Sequence, residues 1–345
     1  MKKERISVII PVFNEERFIK DLLWTINKQS YPLDKIEVII IDGGSKDSTI
    51  SLIEDMSKEL NYKLITLHNE KKIPVSALNI GLKYAQGEII IRLDAHSNYE
   101  FQYIEKIVYQ LTNSKEYCNV GGVAKAVGYD KISNAIAAVL NSPIGVGGAK
   151  FRYAKEPIET DTLFPGAWWK EDLVKIKGWN EEWIVNEDME LNIRLKKETK
   201  KKIVIIPDIK LEYYPRNSFG KLLRQYYRYG YWRNKTSNKH AESMRLSHII
   251  PPFFIITLIA LPLLKLNHLL VGLSLFYLLT IIFFAIKLKD KNNSLFHIII
   301  SIMITHFSWG IGAIHGYMKF GIPFKGFWKV FKTVFLSKVR FNKIS

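Results

Sequence analysis

Residues 88–98 read EIIIRLDAHSN, an apolar run that ends on an arginine and a leucine and then sets an aspartate and a histidine on either side of one alanine. The run is short, rich in β-branched residues and almost unbroken in apolarity, the mark of a strand covered on both faces. Three earlier stretches share it: ISVIIPVF at 6–13, IEVIII at 36–41 and KLITL at 63–67. Between them, 16–28, 46–60 and 75–84 carry helical periodicity. Alternating strand and helix predicts an α/β domain with a mostly parallel sheet and right-handed crossovers. Ligands of such sheets sit beyond the carboxyl ends of the strands. The residues to weigh are therefore Asn14 and Glu15 after the first strand, Asp42 with Gly43 and Gly44 after the second, and Asp94 with His96 after the fourth.

An aspartate and a histidine one residue apart in a turn can face a single divalent cation, with a nucleoside diphosphate supplying the remaining oxygens. The carboxylate suits Mg²⁺, and the imidazole shifts the preference toward Mn²⁺. Taken alone, the pair reads more readily as a helix cap and a surface histidine. The order of the remaining motifs decides against that. A second acidic site, Asn186-Glu187-Asp188, precedes a helical stretch at 189–197. Acids there suit the positive end of a helix.

PVFNEE at 11–16, DGGSKDST at 42–49, ALNIGLKYAQGEIIIRLDAH at 77–96 and NEDMELNIRL at 186–195 follow one another along the chain. Together, over residues 4–214, they resemble the glycosyltransferase family 2 catalytic domain, a Rossmann-like domain of the GT-A type. DAH in place of D-x-D, GVGGAKFR at 145–152 and PRNSFGKLLRQYYRYGYWR at 215–233 ahead of an apolar tail are similar to the membrane-bound succinoglycan-biosynthesis branch. The resemblance implies an inverting transferase that uses a nucleotide sugar, usually a UDP-sugar, and a lipid-linked or growing saccharide acceptor. It implies that Pro11, Val12 and Glu15 line the nucleobase and ribose, that Asp42, with Gly43 beside it, accepts a hydrogen bond from the base, and that Asp94 touches the ribose or the metal. His96 would hold the metal and diphosphate, Asp188 would be the catalytic base, and Glu187 would orient the acceptor or support its loop. Lys71 and Arg92 either add charge near the phosphates or are solvated. Trp168 and Trp169, with the glycine-rich 145–148, fall in the acceptor half, where aromatic planes suit sugar faces and serve equally as core.

Gln225, Arg228 and Tyr229 form Q-x-x-R-Y, near the Q-x-x-R-W of processive polysaccharide synthases but with tyrosine for tryptophan, a departure that puts processivity in doubt. Gln225 is expected beside the acceptor and Arg228 near the diphosphate. Lys221, Arg224 and Arg228 also share one stripe, as on an interfacial helix with its basic heads in lipid headgroups.

Composition places the rest. The runs 249–264, 269–286 and 295–318 hold no Lys, Arg, Asp or Glu, which is membrane composition. Between 196 and 239 there are thirteen basic residues against three acids, and from 319 to 345 seven against none, so both flanks belong in the cytoplasm. Three full spans would put the basic tail outside; one run is therefore expected not to cross. Lys325, Lys329 and Lys332 recur opposite Phe327, Phe331, Val334 and Phe335, the pattern of a basic amphipathic helix on a membrane. The net charge of +17 clusters around the apolar runs, which favours membrane lipid over nucleic acid. The single Cys118 excludes an internal disulfide, and the apolar run at the start is too short for a signal peptide. The expected organisation is a cytoplasmic GT-A domain at 1–214, connecting interfacial helices at 215–248, a membrane region at 249–318 and a basic tail at 319–345. Rivals are a polyprenyl-phosphate glycosyltransferase, a nucleotidyltransferase and a catalytically inactive membrane scaffold.

Overall fold

The computed structural model describes residues 3–336, so residues 337–345, part of the expected basic tail, lie outside the described residues. The chain divides into two compact units, Met1–Ala126 with Ala149–Tyr214, and Val127–Gly148 with Pro215–Ser345.

The first unit is a mixed, mostly parallel α/β domain. Its strands are β1 Ile6–Val12, β2 Ile36–Asp42, β3 Lys63–His68, β4 Ile89–Arg92, β5 Ser97–Tyr99, β6 Tyr117–Ala126, β7 Ile158–Glu159, β8 Ala167–Trp169 and β9 Lys202–Tyr213, in the order β3-β2-β1-β4-β8-β6-β9-β5 with β7 on β9. Its helices are α1 Ile19–Asn27, α2 Thr49–Met56, α3 Pro74–Tyr84, α4 Tyr103–Asn113, then α7 Lys170–Lys175 and α8 Glu187–Thr199; the intervening α5 Lys131–Leu140 and α6 Pro143–Val146 belong to the second unit. The unbroken apolarity of the first strands is explained by covered faces: Val8 and Ile10 pack with Leu22, Leu23 and Ile107, while Ile9, between them, packs with Leu78, Leu82 and Leu191. Strand β1 pairs in parallel with β2 on one side and β4 on the other, so the sheet changes winding direction between β1 and β4. A crevice at the carboxyl ends of such a pair is where ligands bind. Helices α1 and α2 start later than periodicity predicts because residues 14–18 and 43–48 are spent on loops that hydrogen-bond to each other.

The second unit is helical. Residues 127–148, expected inside the catalytic domain, cluster here because Ala135 and Val139 of α5 bury against the Ile281 and Ile302 region. It continues with α9 Phe219–Lys239, α10 Ile250–Leu263, α11 Asn267–Leu288, α12 Leu295–Phe320 and α13 Phe324–Phe331. Helix α9 is more than the interfacial helix its basic stripe predicts, since Leu222, Tyr226, Arg233, Asn234 and Thr236 are buried. The fourteen residues of α10 rise only about 21 Å against a hydrocarbon core of about 30 Å. Helices α11 and α12, of 22 and 26 residues, are long and apolar enough to cross.

Glycines let α9 and α12 approach closely: a Cβ on Gly230 would land on the Trp309 carbonyl, and one on Gly312 on that of Tyr227. Gly230→Ala is therefore expected to destabilise the full-length protein in detergent by about 1–3 kcal/mol through overpacking. Gly220→Ala, on the same helix with nothing within 4 Å, is expected to be neutral or stabilising. Melting temperatures moving the same way in both variants would contradict this packing.

Candidate active site

The ends of β1 and β2 are stitched into one surface. Gly43 N–H donates to the Val12 carbonyl at 2.9 Å, and Asn14, left-handed at φ 55°, donates its N–H to Ser45 Oγ and accepts from Lys46 N–H through Oδ1. Glu15 N–H donates to Thr49 Oγ1 at 2.8 Å, and Glu16 accepts from Ser48 N–H. This explains why DGGSKDST carries so many small polar residues and why PVFNEE places an asparagine and two glutamates after its strand. The Asp42 carboxylate is 7% exposed and accepts from Gly44 N–H, Ser45 N–H and Ser45 Oγ, the last at 2.6 Å. It is held as a rigid, oriented acceptor at the base of the crevice.

At the end of β4 the chain turns into β5 rather than into a helix, so Asp94 is not a helix cap. Its backbone N–H donates to Tyr99 Oη at 2.8 Å, which holds the turn from behind. His96 Nδ1 lies 3.5 Å from Glu15 Oε1, and its ring meets Tyr213 edge-on with centroids 5.4 Å apart. A carboxylate on one imidazole nitrogen fixes the ring and leaves the other for a ligand. The same tyrosine carries Arg152, whose guanidinium lies 4.1 Å from the ring centroid and donates to the Ala124 carbonyl.

Helix α8 brings in the second acidic pair. It is pinned by Glu190, fully buried, which accepts from Arg194 Nε at 2.8 Å, while Arg194 donates onward to the Ile176 and Gly178 carbonyls. Asn192 Oδ1 accepts from Asn119 Nδ2 at 2.8 Å, tying the helix to β6. Glu187, Asp188 and Glu190 occupy its first turn, where the positive helix end favours them.

Arg92 joins the two acidic sites. It is 6% exposed; its Nε donates to Asp94 Oδ1 at 3.2 Å, and its Nη1 to Asp188 Oδ1 at 2.8 Å and Glu187 Oε1 at 3.2 Å. Phe164 lies against the guanidinium with its ring centroid 4.8 Å away. The Arg92 pKa is driven upward: burial opposes its charge, but Asp188, Asp94 and Glu187 outweigh that. The Asp188 carboxyl is raised to about 8: burial lifts it most, Arg92 opposes, and Glu187 and Asp94 add to the rise. One guanidinium facing three carboxylates leaves a negative surplus that suits a cation. Among the described residues no cluster of three or more His, Cys, Asp or Glu could hold a metal by itself. Asp94 and His96, two residues apart in the turn after β4, would supply two protein ligands at most, so an ion held there would need further oxygens from a substrate.

The structure thus gathers Asp42, Asp94, His96, Glu187 and Asp188 at the carboxyl ends of the parallel strands and the facing start of α8. Pro11 and Val12 are the last residues of β1, and Glu15 is turned onto His96. Lys71 is exposed and pairs with Glu181 at 2.6 Å, in keeping with the solvated reading of it. Trp168 needs correction as an acceptor contact: it is 1% exposed, packs edge-on against Trp179 and sits opposite Ile90. Trp169 pairs with Ile89, at the start of β4 and therefore at the end of that strand remote from Asp94. Because β8 inserts antiparallel beside β4, Trp168 is core and Trp169 is half-buried against it. Gln225 and Arg228 stand on α9 in the second unit, where Gln225 Nε2 donates to Tyr229 Oη at 3.0 Å and Arg228 is exposed. The sequence offered no sign of the Arg92 bridge, whose acidic partners lie 95 and 96 residues away. Tyr213 and Arg152 are legible only once β9 and the loop before β7 are in place.

Comparison with known proteins bears on the family and the fold. Residues 7–163 match the family model described as Glycosyl transferase family 2. The chain is 30% identical over 332 residues, 93% of its length and 99% of the relative's, to a dolichyl N-acetyl-alpha-D-glucosaminyl phosphate 3-beta-D-2,3-diacetamido-2,3-dideoxy-beta-D-glucuronosyltransferase of Methanococcus voltae. It is also 30% identical over 247 residues, 71% of its length and 73% of the relative's, to the succinoglycan biosynthesis protein ExoA of Rhizobium meliloti. Among solved structures it resembles the mannosyltransferase PcManGT of Pyrobaculum calidifontis, solved in complex with GDP-Man and Mn²⁺, with a TM-score of 0.53 at 19% identity over 68% of this chain and 64% of that one. That likeness concerns the fold, which is of the GT-A type. With the motifs in order and a relative alike along almost its whole length, the chain belongs to glycosyl transferase family 2 and is a glycosyltransferase.

Proposed function

We propose that this glycosyltransferase moves one sugar, with inversion, from a nucleotide sugar, most simply a UDP-sugar, to a lipid-linked or growing saccharide at the cytoplasmic face of the membrane. The observation that carries the reading is that Asp94, at the β4 end, and Asp188, at the start of α8, meet on one guanidinium. A donor site and an acceptor base thus lie within reach of a single reacting centre. The activities named for the two relatives, a dolichyl-phosphate-sugar transferase and a succinoglycan biosynthesis protein, support such an acceptor.

In this reading Pro11, Val12, Asp42 and Gly43 receive the nucleoside, and Asp94 with His96 holds a Mn²⁺ or Mg²⁺ ion whose charge, when bound, would make the diphosphate a better leaving group. Glu15 keeps His96 oriented. Arg152, whose hydrogen bond goes to a neutral carbonyl, keeps its charge for phosphate oxygens. Asp188 takes the proton of the acceptor hydroxyl as it attacks from the face opposite the diphosphate, and Glu187 steadies that end of α8. Arg228 and Gln225 remain proposed contacts to diphosphate and acceptor. The test is nucleotide release by full-length enzyme in lipid nanodiscs from a panel of UDP- and GDP-sugars, with and without lipid-linked saccharide. Acceptor-stimulated release of UDP is expected. Release of pyrophosphate would instead indicate a nucleotidyltransferase, and no release from any donor a scaffold.

The raised pKa of Asp188 supplies a pH signature. A base works only when unprotonated, so activity must fall as pH drops below the folded value of about 8. For the free enzyme kcat/KM is expected to rise about tenfold per pH unit on the acid side and level off above about 8. A profile flat from about pH 6 to 9 would contradict the raised pKa, and the Asp188→Asn variant then decides whether Asp188 is the base.

Helices α11 and α12 are proposed to cross the membrane as a hairpin while α10 does not, which returns the basic tail to the side of the basic stretch 196–239. Exposed Phe253, Phe276, Leu279 and Phe283 support a lipid-facing surface. On α13, Phe324, Trp328 and Phe331 are exposed while Gly326 and Val330 are buried, as for a helix lying in the headgroup region. Reporters fused at Asn292 and at Ser345 should lie on opposite sides of the membrane.

A further inference from the structure

We propose that Arg92 is a positioning residue that sets the place of the acceptor base Asp188 by reference to the donor-side carboxylate Asp94. This rests on the function proposed above and goes beyond it by making donor site and base one mechanical piece. The guanidinium is planar and rigid, so its Nε bond to Asp94, at 3.2 Å, fixes the plane in which Nη1 reaches Asp188 at 2.8 Å and Glu187 at 3.2 Å. Phe164 packs at 4.8 Å from the guanidinium and holds that plane from the side. Tyr99 holds the Asp94 backbone, and the Glu190–Arg194 staple holds α8, so both ends of the bridge are anchored in the core. A guanidinium whose Nε and Nη1 are already taken by Asp94, Glu187 and Asp188 is a poor partner for a diphosphate. Its remaining use is geometric: it keeps two mutually repelling acids, Asp94 and Asp188, at a fixed separation, the one facing the donor and the other the acceptor.

A lysine keeps the charge but is a point donor that cannot serve both ends of the bridge. Arg92→Lys is therefore expected to lower kcat for sugar transfer about 100-fold, the penalty for misplacing a reacting group by about 1 Å. Donor KM, and donor affinity measured by titration calorimetry, should change less than about threefold, because uniform binding is untouched. Guanidinium chloride should partly restore kcat to Arg92→Ala and leave Arg92→Lys unaffected. In an Asp188→Asn background Arg92→Lys should add no further loss, since nothing is left to position. Phe164→Leu, which keeps the ion pairs and removes the ring against them, should show the same signature at about a tenth of the size, and it carries the test if Arg92→Lys melts below assay temperature.

Loss of donor affinity with kcat retained would make Arg92 a phosphate contact and overturn the inference. Additive losses in the double variant, or parental kcat in both Arg92→Lys and Phe164→Leu, would overturn it as well. Failure of the underlying reading looks different: the parent enzyme then releases no nucleotide from any donor, or Asp188→Asn turns over at the parental rate.

Discussion

Asp188→Asn reduces sugar transfer by about 10²- to 10⁴-fold, the range over which a positioned general base contributes. The substitution is isosteric and removes only the carboxylate's charge and basicity. Donor affinity should stay within about threefold of the parent, because the pair Asp94 and His96 and the Asp42 loop lie on other elements. Helix α8 should remain folded, since Glu187 keeps its bond to Arg92 Nη1 and Glu190 keeps Arg194. Relieving a carboxyl whose charge is disfavoured by burial, with a folded pKa of about 8 against an ordinary 3.8, should if anything stabilise the protein above neutrality. The sign follows from linkage: a carboxyl with a raised folded pKa erodes stability as pH climbs from its unfolded to its folded value. The measurement is single-turnover transfer with saturating donor, alongside a thermal melt at pH 9. Parental turnover in this variant would remove the base from the mechanism.

The second large effect concerns the cation. Asp94→Asn, or chelation of divalent ions, should lower kcat/KM at least about 100-fold, since the ion's stabilisation of developing charge is worth several kcal/mol and each 1.4 kcal/mol is tenfold. With Asp94 and His96 as its protein ligands, much of the ion's coordination must come from the donor, so ion and donor should bind together. Titrating Mn²⁺ into the enzyme without donor should give weak binding, and adding UDP should strengthen it by an order of magnitude or more. His96→Ala should weaken that coupled binding less than Asp94→Asn does, because it removes a neutral ligand rather than a charge. Activity unchanged by a chelator would show that the negative surplus around Arg92 serves some other cation. Electron paramagnetic resonance of bound Mn²⁺ reports the coupling without any turnover.

Much of this site is legible before folding because its residues follow strands whose apolarity is continuous. Ile6–Val12, Ile36–Asp42 and Ile89–Arg92 announce themselves, and the polar residues after them are then at a sheet edge by topology alone. What each of those residues touches is less legible. Glu15 lies 3.5 Å from the His96 ring, a neighbour its motif does not announce, and Trp168, read equally as sugar platform and as core, lies in the core. Both outcomes depend on the three-residue strand β8, too short for any periodic signal, and on the loop geometry at Asn14. Residues 127–148 look like part of the catalytic domain along the chain and are claimed by the second unit only because the α5 face matches α11 and α12.

Strand-helix alternation, the order of acidic motifs, the membrane composition of the C-terminal third and hence the family can be read along the chain, since all of these are local patterns or their linear order. The tertiary structure alone decided that Arg92 spans Asp94 and Asp188, that Tyr213 lies between Arg152 and His96, and that polar residues of α9 are buried. Such pairings join groups up to about a hundred residues apart, and their distances are set by the packing of whole elements, which no window of sequence contains.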